Sequence, residues 1–337
     1  MTILVSGGAG YIGSHMVHAL VDANELVVVL DNLVTGFDWA VANSAELVKG
    51  DVGDRALLHH IMKNYDVEAV IHFAGSVVVP ESVSNPLKYY ANNTGASREL
   101  IEACIANNVE KFIFSSTAAV YGDVGGVPLP ETTPTRPVNP YGRSKLMTEM
   151  MLHDASEAHN LRHVALRYFN VAGADPEGRT GQSTVGATHL IKVACETALG
   201  TREKMSIFGT DYETRDGTAI RDYIHVSDLV AAHLKSLEYL RAGGKSLTAN
   251  VGYGRGYTVR EVIEAVKQQT RDFPVKVVER RLGDSPVVVA DPGLARRILE
   301  WEPRFNDLEL IVSHALKWQA YLDRMAHGQI QTSTALG

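Results

Sequence analysis

The chain has 337 residues, 45 % of them apolar, and its 32 Lys and Arg against 39 Asp and Glu leave a formal net charge of −7. That length exceeds one small core and calls for one large or two intimate domains, while the acidic balance argues against nucleic acid as a partner. No apolar run approaches the roughly 20 residues of a membrane helix, and two widely spaced cysteines in helical patterns, Cys104 and Cys195, fit buried thiols in a reducing, cytoplasmic compartment.

The apolar run at residues 3–5 reads as a buried first strand, so no signal peptide is expected ahead of the fold. It leads into Ser6-Gly7-Gly8-Ala9-Gly10-Tyr11-Ile12-Gly13, and residues 11–21 follow with apolar residues at helical spacing. Strand, glycine-rich turn and helix in that order suit a dinucleotide. Gly7 can turn the chain, Gly10 leaves room for a pyrophosphate, and Gly13 lets the helix pack on the strand. Free N–H groups and the helix dipole then hold the phosphates. A second apolar strand, residues 26–30, ends in Asp31. An acid there accepts both hydroxyls of an adenosine ribose and repels a 2′-phosphate, which favours NAD over NADP.

Residues 46–48 read as a third strand that closes at Asp51 and Val52. Two readings of Asp51 stand side by side: a bond to the adenine amino group, or an N-cap for a helix over 54–64. A fourth strand, 69–71, runs into His72-Phe73-Ala74-Gly75, where small residues let a cofactor lie close to the backbone. A long helix is expected over 86–107, with Asn92 and Asn93 near its start. The fifth strand, 112–114, ends in Ser115-Ser116-Thr117. After a loop rich in Pro, Gly and Thr, Pro140 opens a helix that carries Tyr141 and Lys145 on one face. A sixth strand over 164–166 ends in Arg167-Tyr168-Phe169-Asn170.

This alternation predicts an α/β fold, a doubly wound parallel sheet of Rossmann type over residues 1–170. Beyond it the rhythm changes. A long loop over 173–187, helices over 188–199, 258–270, 292–299 and 308–322, and strands over 204–208 and 275–278 suggest a smaller mixed α/β substrate domain spanning 171–325. Stretches 220–224 and 248–251 are candidates to rejoin the main sheet, and 326–337 reads as a disordered tail.

Thr117, Tyr141 and Lys145 form a second constellation. A free tyrosine is a poor base at pH 7, and bringing its pKa from near 10 to about 7 needs roughly 4 kcal/mol. One cation at about 4 Å supplies about that much at an effective dielectric near 20. Lys145 is that cation, helped by the positive ring of NAD⁺, and the tyrosinate can remove a hydroxyl proton as a hydride leaves the same carbon. His59, His60, His153, His159 and His163 lack a metal-ligand spacing and read as exposed or interfacial.

With these motifs the chain resembles the extended short-chain dehydrogenase/reductase family and, within it, the UDP-glucose 4-epimerases. The likeness rests on Gly7 to His15, Asp31-Asn32-Leu33, His72 to Gly75, Phe114 to Gly122, Pro140 to Lys145, Arg167 to Ala174, and Asp216 to Val226. It implies NAD-dependent interconversion of UDP-glucose and UDP-galactose through C4 oxidation, rotation of the 4-keto sugar and re-reduction. Relatives acting on UDP-N-acetylhexosamines or UDP-pentoses share that chemistry. It also implies a homodimer built on the helices 86–107 and 140–159.

The resemblance assigns Gly7, Gly10, Tyr11, Ile12, Gly13, Asp31, Asn32, Asp51, Val52, Phe73, Ala74, Gly75, Asn92, Tyr141, Lys145 and Phe169 to NAD. It sets Thr117 and Tyr141 at the sugar O4. Asn170, His189, Leu190, Phe208, Arg221, Arg281 and Asp284 fall to the UDP-sugar, with Val288 at the sugar pocket. Val77 stands where the family often has a lysine, and His189 where an asparagine is common. Sugar-nucleotide dehydratases place an acid just after the Ser-Ser-Thr strand end; Ala118 and Ala119 here cannot move a proton. A non-catalytic NAD-binding regulator would not need Thr117, Tyr141 and Lys145 together.

Overall fold

The computed structural model describes residues 1–124, 128–281 and 284–328. Its strands are β1 (Thr2–Ser6), β2 (Leu26–Asp31), β3 (Glu46–Lys49), β4 (Val67–His72), β5 (Lys111–Ser115), β6 (Arg162–Tyr168), β7 (Asn170–Ala172), β8 (Met205–Phe208), β9 (Ile220–His225), β10 (Leu247–Val251), β11 (Gly256–Thr258), β12 (Val275–Val278) and β13 (Val287–Val288). The helices are α1 (Tyr11–Asp22), α2 (Arg55–Asn64), α3 (Val79–Ser84), α4 (Pro86–Tyr89), α5 (Ala96–Ala106), α6 (Pro140–Ala158), α7 (Leu190–Leu199), α8 (Val226–Arg241), α9 (Val259–Gln269), α10 (Gly293–Ile298) and α11 (Leu308–Ala326).

The main sheet is parallel throughout, in the order β10-β6-β5-β4-β1-β2-β3. Its inner strands are buried on both faces, and their two-residue period divides them between two cores. Ile3, Val5, Val27 and Val29 pack with Met16 and Leu20 of α1 and Leu229 and Leu237 of α8. Leu4, Val28, Leu30, Phe112 and Phe114 pack with Leu58 of α2, Leu100 of α5 and Leu152 of α6. The chain reverses its direction across the sheet between β1 and β4. In open α/β sheets the crevice at such a switch point receives the ligand.

Of the two stretches expected to rejoin the sheet, 247–251 does so, as β10 beside β6. The other does not. β9 is the centre of a separate sheet, with β11 antiparallel and β13 parallel at one end and β7 parallel at the other. The place beside β6 is already filled by β10, so β9 takes β7, the short strand that leaves the end of β6. β8 and β12 form a further parallel pair.

The helix expected over 86–107 is not continuous. α4 passes through one wide, π-type turn, Tyr90–Gly95, before α5, and α3 precedes both without having been read from the sequence. α8 was likewise unread. α11 runs on to Ala326, past the expected end at 322. Ala326, placed in the tail by the sequence reading, is therefore helical, and 329–337 lie outside the described residues.

Candidate active site

At the switch point the glycine turn is built as its spacing predicts. Gly7 has φ +74°, and a Cβ there would stand 2.6 Å from the Ala74 nitrogen. At Gly13 a Cβ would lie 2.1 Å from the Gly7 carbonyl oxygen, so any side chain would push α1 off the turn. Gly10 is less crowded, with only that same oxygen, at 3.3 Å. It is the N-cap of α1 and lends no side chain to the helix start. The first N–H groups therefore meet no capping side chain, an arrangement that fits a pyrophosphate.

Asp31 fixes this turn to the end of β2. One carboxylate oxygen accepts the Ala9 N–H at 3.0 Å and the other the Leu33 N–H at 2.8 Å. Each oxygen keeps acceptor capacity for a ribose hydroxyl. Asp51 is not a helix N-cap: Asp54 takes that role in α2, and Asp51 accepts from Gly53 N–H (2.8 Å) and Asn32 Nδ2 (3.1 Å). Asp51 and Asn32 thus form one polar edge beside buried Val52. The Tyr11 phenol donates to the Gly173 carbonyl at 2.7 Å, which leaves the backbone at Tyr11 and Ile12, rather than that phenol, as the group a phosphate could use.

At the end of β4, the Phe73 and Ala74 N–H groups both bond the Ser6 carbonyl. A Cβ on Gly75 would sit 3.7 Å from Lys145 Nζ, which puts bare backbone against that ammonium. His72 lies buried beneath. Ser97 donates to the Asn93 carbonyl, so its oxygen accepts from His72 Nε2–H at 2.8 Å, and His72 Nδ1 accepts from Ser6 Oγ at 2.6 Å. Burial, with the Lys145 charge second, pushes the His72 pKa down to about 3, and the imidazole is neutral. Asn93, held by the wide turn, bonds the Ser76 N–H, the Ser76 carbonyl and Ser144 Oγ. Asn92 reaches Ser76 Oγ at 2.9 Å. Val77, in the family's lysine position, is exposed.

Thr117 ends the extended chain after β5, and Asn139 caps α6 by accepting the Gly142 N–H, which places Tyr141 and Lys145 in its first two turns. Thr117, Tyr141 and Lys145 are all buried. Lys145 Nζ donates to the Ser115 carbonyl at 2.9 Å and lies 4.9 Å over the Phe114 ring. Burial lowers its pKa to about 8, with Glu149 opposing. The Tyr141 phenol moves up, not down as the lysine argument predicts. Its burial outweighs the opposing hydrogen bond with Thr117.

A buried network missed by sequence reasoning braces this corner. Glu149, one turn past Lys145, receives two Arg167 nitrogens, Nη2 at 2.6 Å and Nε at 3.0 Å, and the Ser116 hydroxyl. Arg167 also bonds Tyr121 Oη at 3.1 Å, and Tyr121 bonds Asn250 of β10 at 2.7 Å. The i, i+4 spacing of Lys145 and Glu149 was the available signal. His163, expected to be exposed or interfacial, is instead buried, with Nδ1 on Ser156 Oγ at 2.7 Å.

The residues implied for the sugar nucleotide fall into three groups. Tyr11, Asn170, His189, Leu190, Tyr223 and Trp318 line one cavity between β7, α7 and α11. Gln182 bonds His189 across its wall at 3.2 Å. Arg221 and Asp284 form an ion pair, and Arg221 Nη1 donates to the Ile220 carbonyl at 2.8 Å. Among the described residues these bonds use two of the five guanidinium donors. The Arg281 guanidinium lies 3.7 Å over the Phe208 ring. Register puts Val288 of β13 beside Arg221 of β9. Val288 also packs on a cluster containing Phe169, with Ala118 at its edge, which ties it to the Thr117 corner.

Known proteins resemble this chain along most of its length. The profile of the NAD dependent epimerase/dehydratase family matches residues 3–252. The UDP-glucose 4-epimerase of Azospirillum brasilense is 54 % identical over 323 residues, 96 % of this chain and 93 % of that protein. The structure of UDP-glucose 4-epimerase from Brucella ovis in complex with NAD is 44 % identical, with a TM-score of 0.91 over 94 % of this chain and 97 % of that one. The UDP-Glc/GlcNAc 4-epimerase from Campylobacter jejuni is 46 % identical, with a TM-score of 0.84 over 95 % and 99 %.

Proposed function

The chain belongs to the NAD dependent epimerase/dehydratase family, and from that premise we propose that Thr117, Tyr141 and Lys145 carry the NAD-dependent interconversion of UDP-glucose and UDP-galactose that it catalyses. The observation that carries the assignment is the buried corner where Thr117 and Tyr141 meet, one helical turn from Lys145 and beside the bare backbone of Gly75. When bound, NAD supplies the hydride acceptor and donor. Thr117 holds the sugar O4, and Tyr141 takes its proton and later returns it. Lys145, held on the Ser115 carbonyl, supplies the nearby positive charge that favours the phenolate.

Epimerisation also needs the 4-keto sugar to turn over while its diphosphate stays put. Arg221 and Arg281 suit that anchor because a guanidinium fork bonds two oxygens at once. Asn170, His189, Leu190 and Asp284 complete the grip on UDP, and Phe208 lies under Arg281. The walls next to Thr117 are apolar: Ala118, Phe169 and Val288. They offer the hexose few directional bonds and no second acid or base, so the reaction ends at epimerisation rather than elimination.

The test is to incubate the purified protein with UDP-galactose and no added NAD. UDP-glucose forms in the wild type and not in Tyr141→Phe. Absence of product from the wild type, with NAD bound, would remove the assignment.

The protein acts as a homodimer through the helices of 86–107 (α4 and α5) and 140–159 (α6), with α3 beside them. Val83, Leu87 and Met150 are 64 %, 77 % and 59 % exposed there, an apolar surface suited to a second copy. Sedimentation gives a dimer for the wild type and a monomer for the double variant Leu87→Lys, Met150→Lys. A monomeric wild type at micromolar concentration rejects it. The activity belongs in a reducing cytoplasm, consistent with free, buried Cys104 and Cys195.

A further inference from the structure

The stretch after Asp31 doubles back onto the glycine turn. Phe37 N–H donates to the Ala9 carbonyl at 2.9 Å, while Asp31 accepts the Ala9 N–H. Both backbone groups of Ala9, in the middle of the turn, are therefore tied to residues 31–37. The approach is tight: a Cβ on Gly36 would stand 2.8 Å from the Ala9 carbonyl carbon. A dinucleotide on this turn, with its ribose at Asp31, is flanked by this segment.

Past Phe37 the segment is held by aromatic rings. Phe37 and Trp39 lie 5.1 Å apart between centroids. Trp39 meets Trp318 of α11 at 6.1 Å, tilted by 31°, and Trp318 stacks on Tyr321 at 5.0 Å. Trp318 is a rigid post. It is buried, its Nε1 donates to Ser183 Oγ at 3.1 Å, and a Cβ on Gly181 would fall 2.4 Å from the indole. Trp39, by contrast, is half-buried and sits on a short 3₁₀ turn, Asp38–Ala40. One ring is anchored in the C-terminal part of the chain, and the other is half-exposed on a short turn.

We infer that Trp39 and Trp318 form a clasp whose contacting rings hold residues 32–40 closed over the dinucleotide turn and so set how slowly NAD leaves. The inference rests on NAD occupying that turn. Its residues touch neither the sugar O4 nor the Tyr141 corner; they act on retention. An enzyme that oxidises and re-reduces the same substrate needs its cofactor to stay for both half-reactions, and the rings serve that need at a distance from the chemistry.

The experiment follows NAD release from the purified holoenzyme after transfer to NAD-free buffer containing an enzyme that consumes free NAD. Trp39→Ala releases NAD at least tenfold faster than wild type. Trp39→Phe, which keeps a ring for Trp318, stays within about threefold of wild type. Turnover of Trp39→Ala at saturating NAD equals wild type, which separates retention from a general loss of structure. A wild-type release rate in Trp39→Ala, or equal acceleration in the Phe variant, overturns the clasp. If Trp39→Ala does not fold, Trp39→Leu, apolar but without a ring face, takes the same test with the same expected acceleration. A wild type that purifies without NAD overturns both the clasp and the cofactor reading beneath it; unchanged release from a loaded Trp39→Ala overturns the clasp alone.

Discussion

The two sides of the cleft are made differently. On the dinucleotide side, backbone meets backbone: Gly7 against Ala74, Gly13 against Gly7, Phe37 against Ala9, with only the Asp31 carboxylate added on the Ala9 N–H. On the side proposed for the sugar nucleotide, the groups assigned to it are long side chains resting on one another, Arg221 on Asp284 and Arg281 on Phe208. A cofactor that stays needs a mould with one shape. A substrate that enters, turns and leaves needs partners that can be exchanged, and an arginine can trade a carboxylate or a ring for a diphosphate.

The largest effect is expected at the seam between the sides. Tyr141→Phe keeps the ring and its packing and removes the acid–base group, so turnover falls by about 10²- to 10⁴-fold. NAD content of the purified variant stays at the wild-type level. Near-normal turnover would move the base elsewhere.

Gly13→Ala tests the mould. With backbone oxygen 2.1 Å from the new Cβ, nothing flexible can give way. A loss of about 1–3 kcal/mol in unfolding free energy is expected, along with weaker NAD binding. Urea unfolding and cofactor content measure both. Normal stability with full NAD content would show that the turn can adjust.

Arg221→Lys tests the exchangeable side. A point charge replaces a fork, the fold is retained, and KM for UDP-galactose rises by roughly tenfold with kcat little changed, since about 1.4 kcal/mol is lost per tenfold. A fall in kcat at unchanged KM would assign Arg221 to the chemical step.

Lys145 gives a pH signature. Its folded-state pKa, about 8, lies below its ordinary 10.5. Between those values the native state has released a proton that the unfolded chain still binds, so this side chain's contribution to stability rises with pH across the window. Below pH 8 the buried ammonium costs stability. Wild type should therefore gain Tm relative to Lys145→Met from pH 8 to pH 10, read as the difference between the two proteins by calorimetry. A difference constant with pH contradicts the depressed pKa.

The smallest effect concerns substrate range. Val288 stands beside Arg221 and packs on the Phe169 cluster, where it takes less room than a tyrosine ring would. UDP-N-acetylglucosamine should be turned over measurably by wild type and not by Val288→Tyr, while UDP-galactose turnover survives in both. Space alone gives the acetamido group no binding energy, so its turnover need not be preferred. No N-acetyl turnover in wild type, or no change in the variant, rules out Val288 as the gate.

What the sequence reveals follows the same division. The glycine turn, Asp31 and the Tyr141–Lys145 pair are written in spacings of three, four and eighteen residues, and all were legible. The sheet alternation was too, because its strands are buried runs set between helices. The separate sheet around β9 was not, since β7, β11 and β13 reach it from distant parts of the chain. α8 escaped because it is buried on more than one face and its cap is His225, not a Ser, Thr, Asp or Asn. Asn93 was read only as part of a regular helix, and the wide turn that aims it has no sequence signature of its own. Glu149 and Arg167 each stood in view, but their pairing exists only after α6 packs on β6.

β10 sits at one edge of the main sheet, yet residues 169–246 separate it from its neighbour β6. As the chain leaves the ribosome, six strands can assemble while β6 still has a bare edge. Asn250, which bonds Tyr121 and the Leu129 carbonyl, has not yet been made. The nascent protein therefore waits with an open strand, exposed to pairing with its neighbours, until the smaller sheet has begun to form. The division at residue 170 that suits a reader of the sequence is not one the folding chain can use: its first layer is finished only by a strand from its last third.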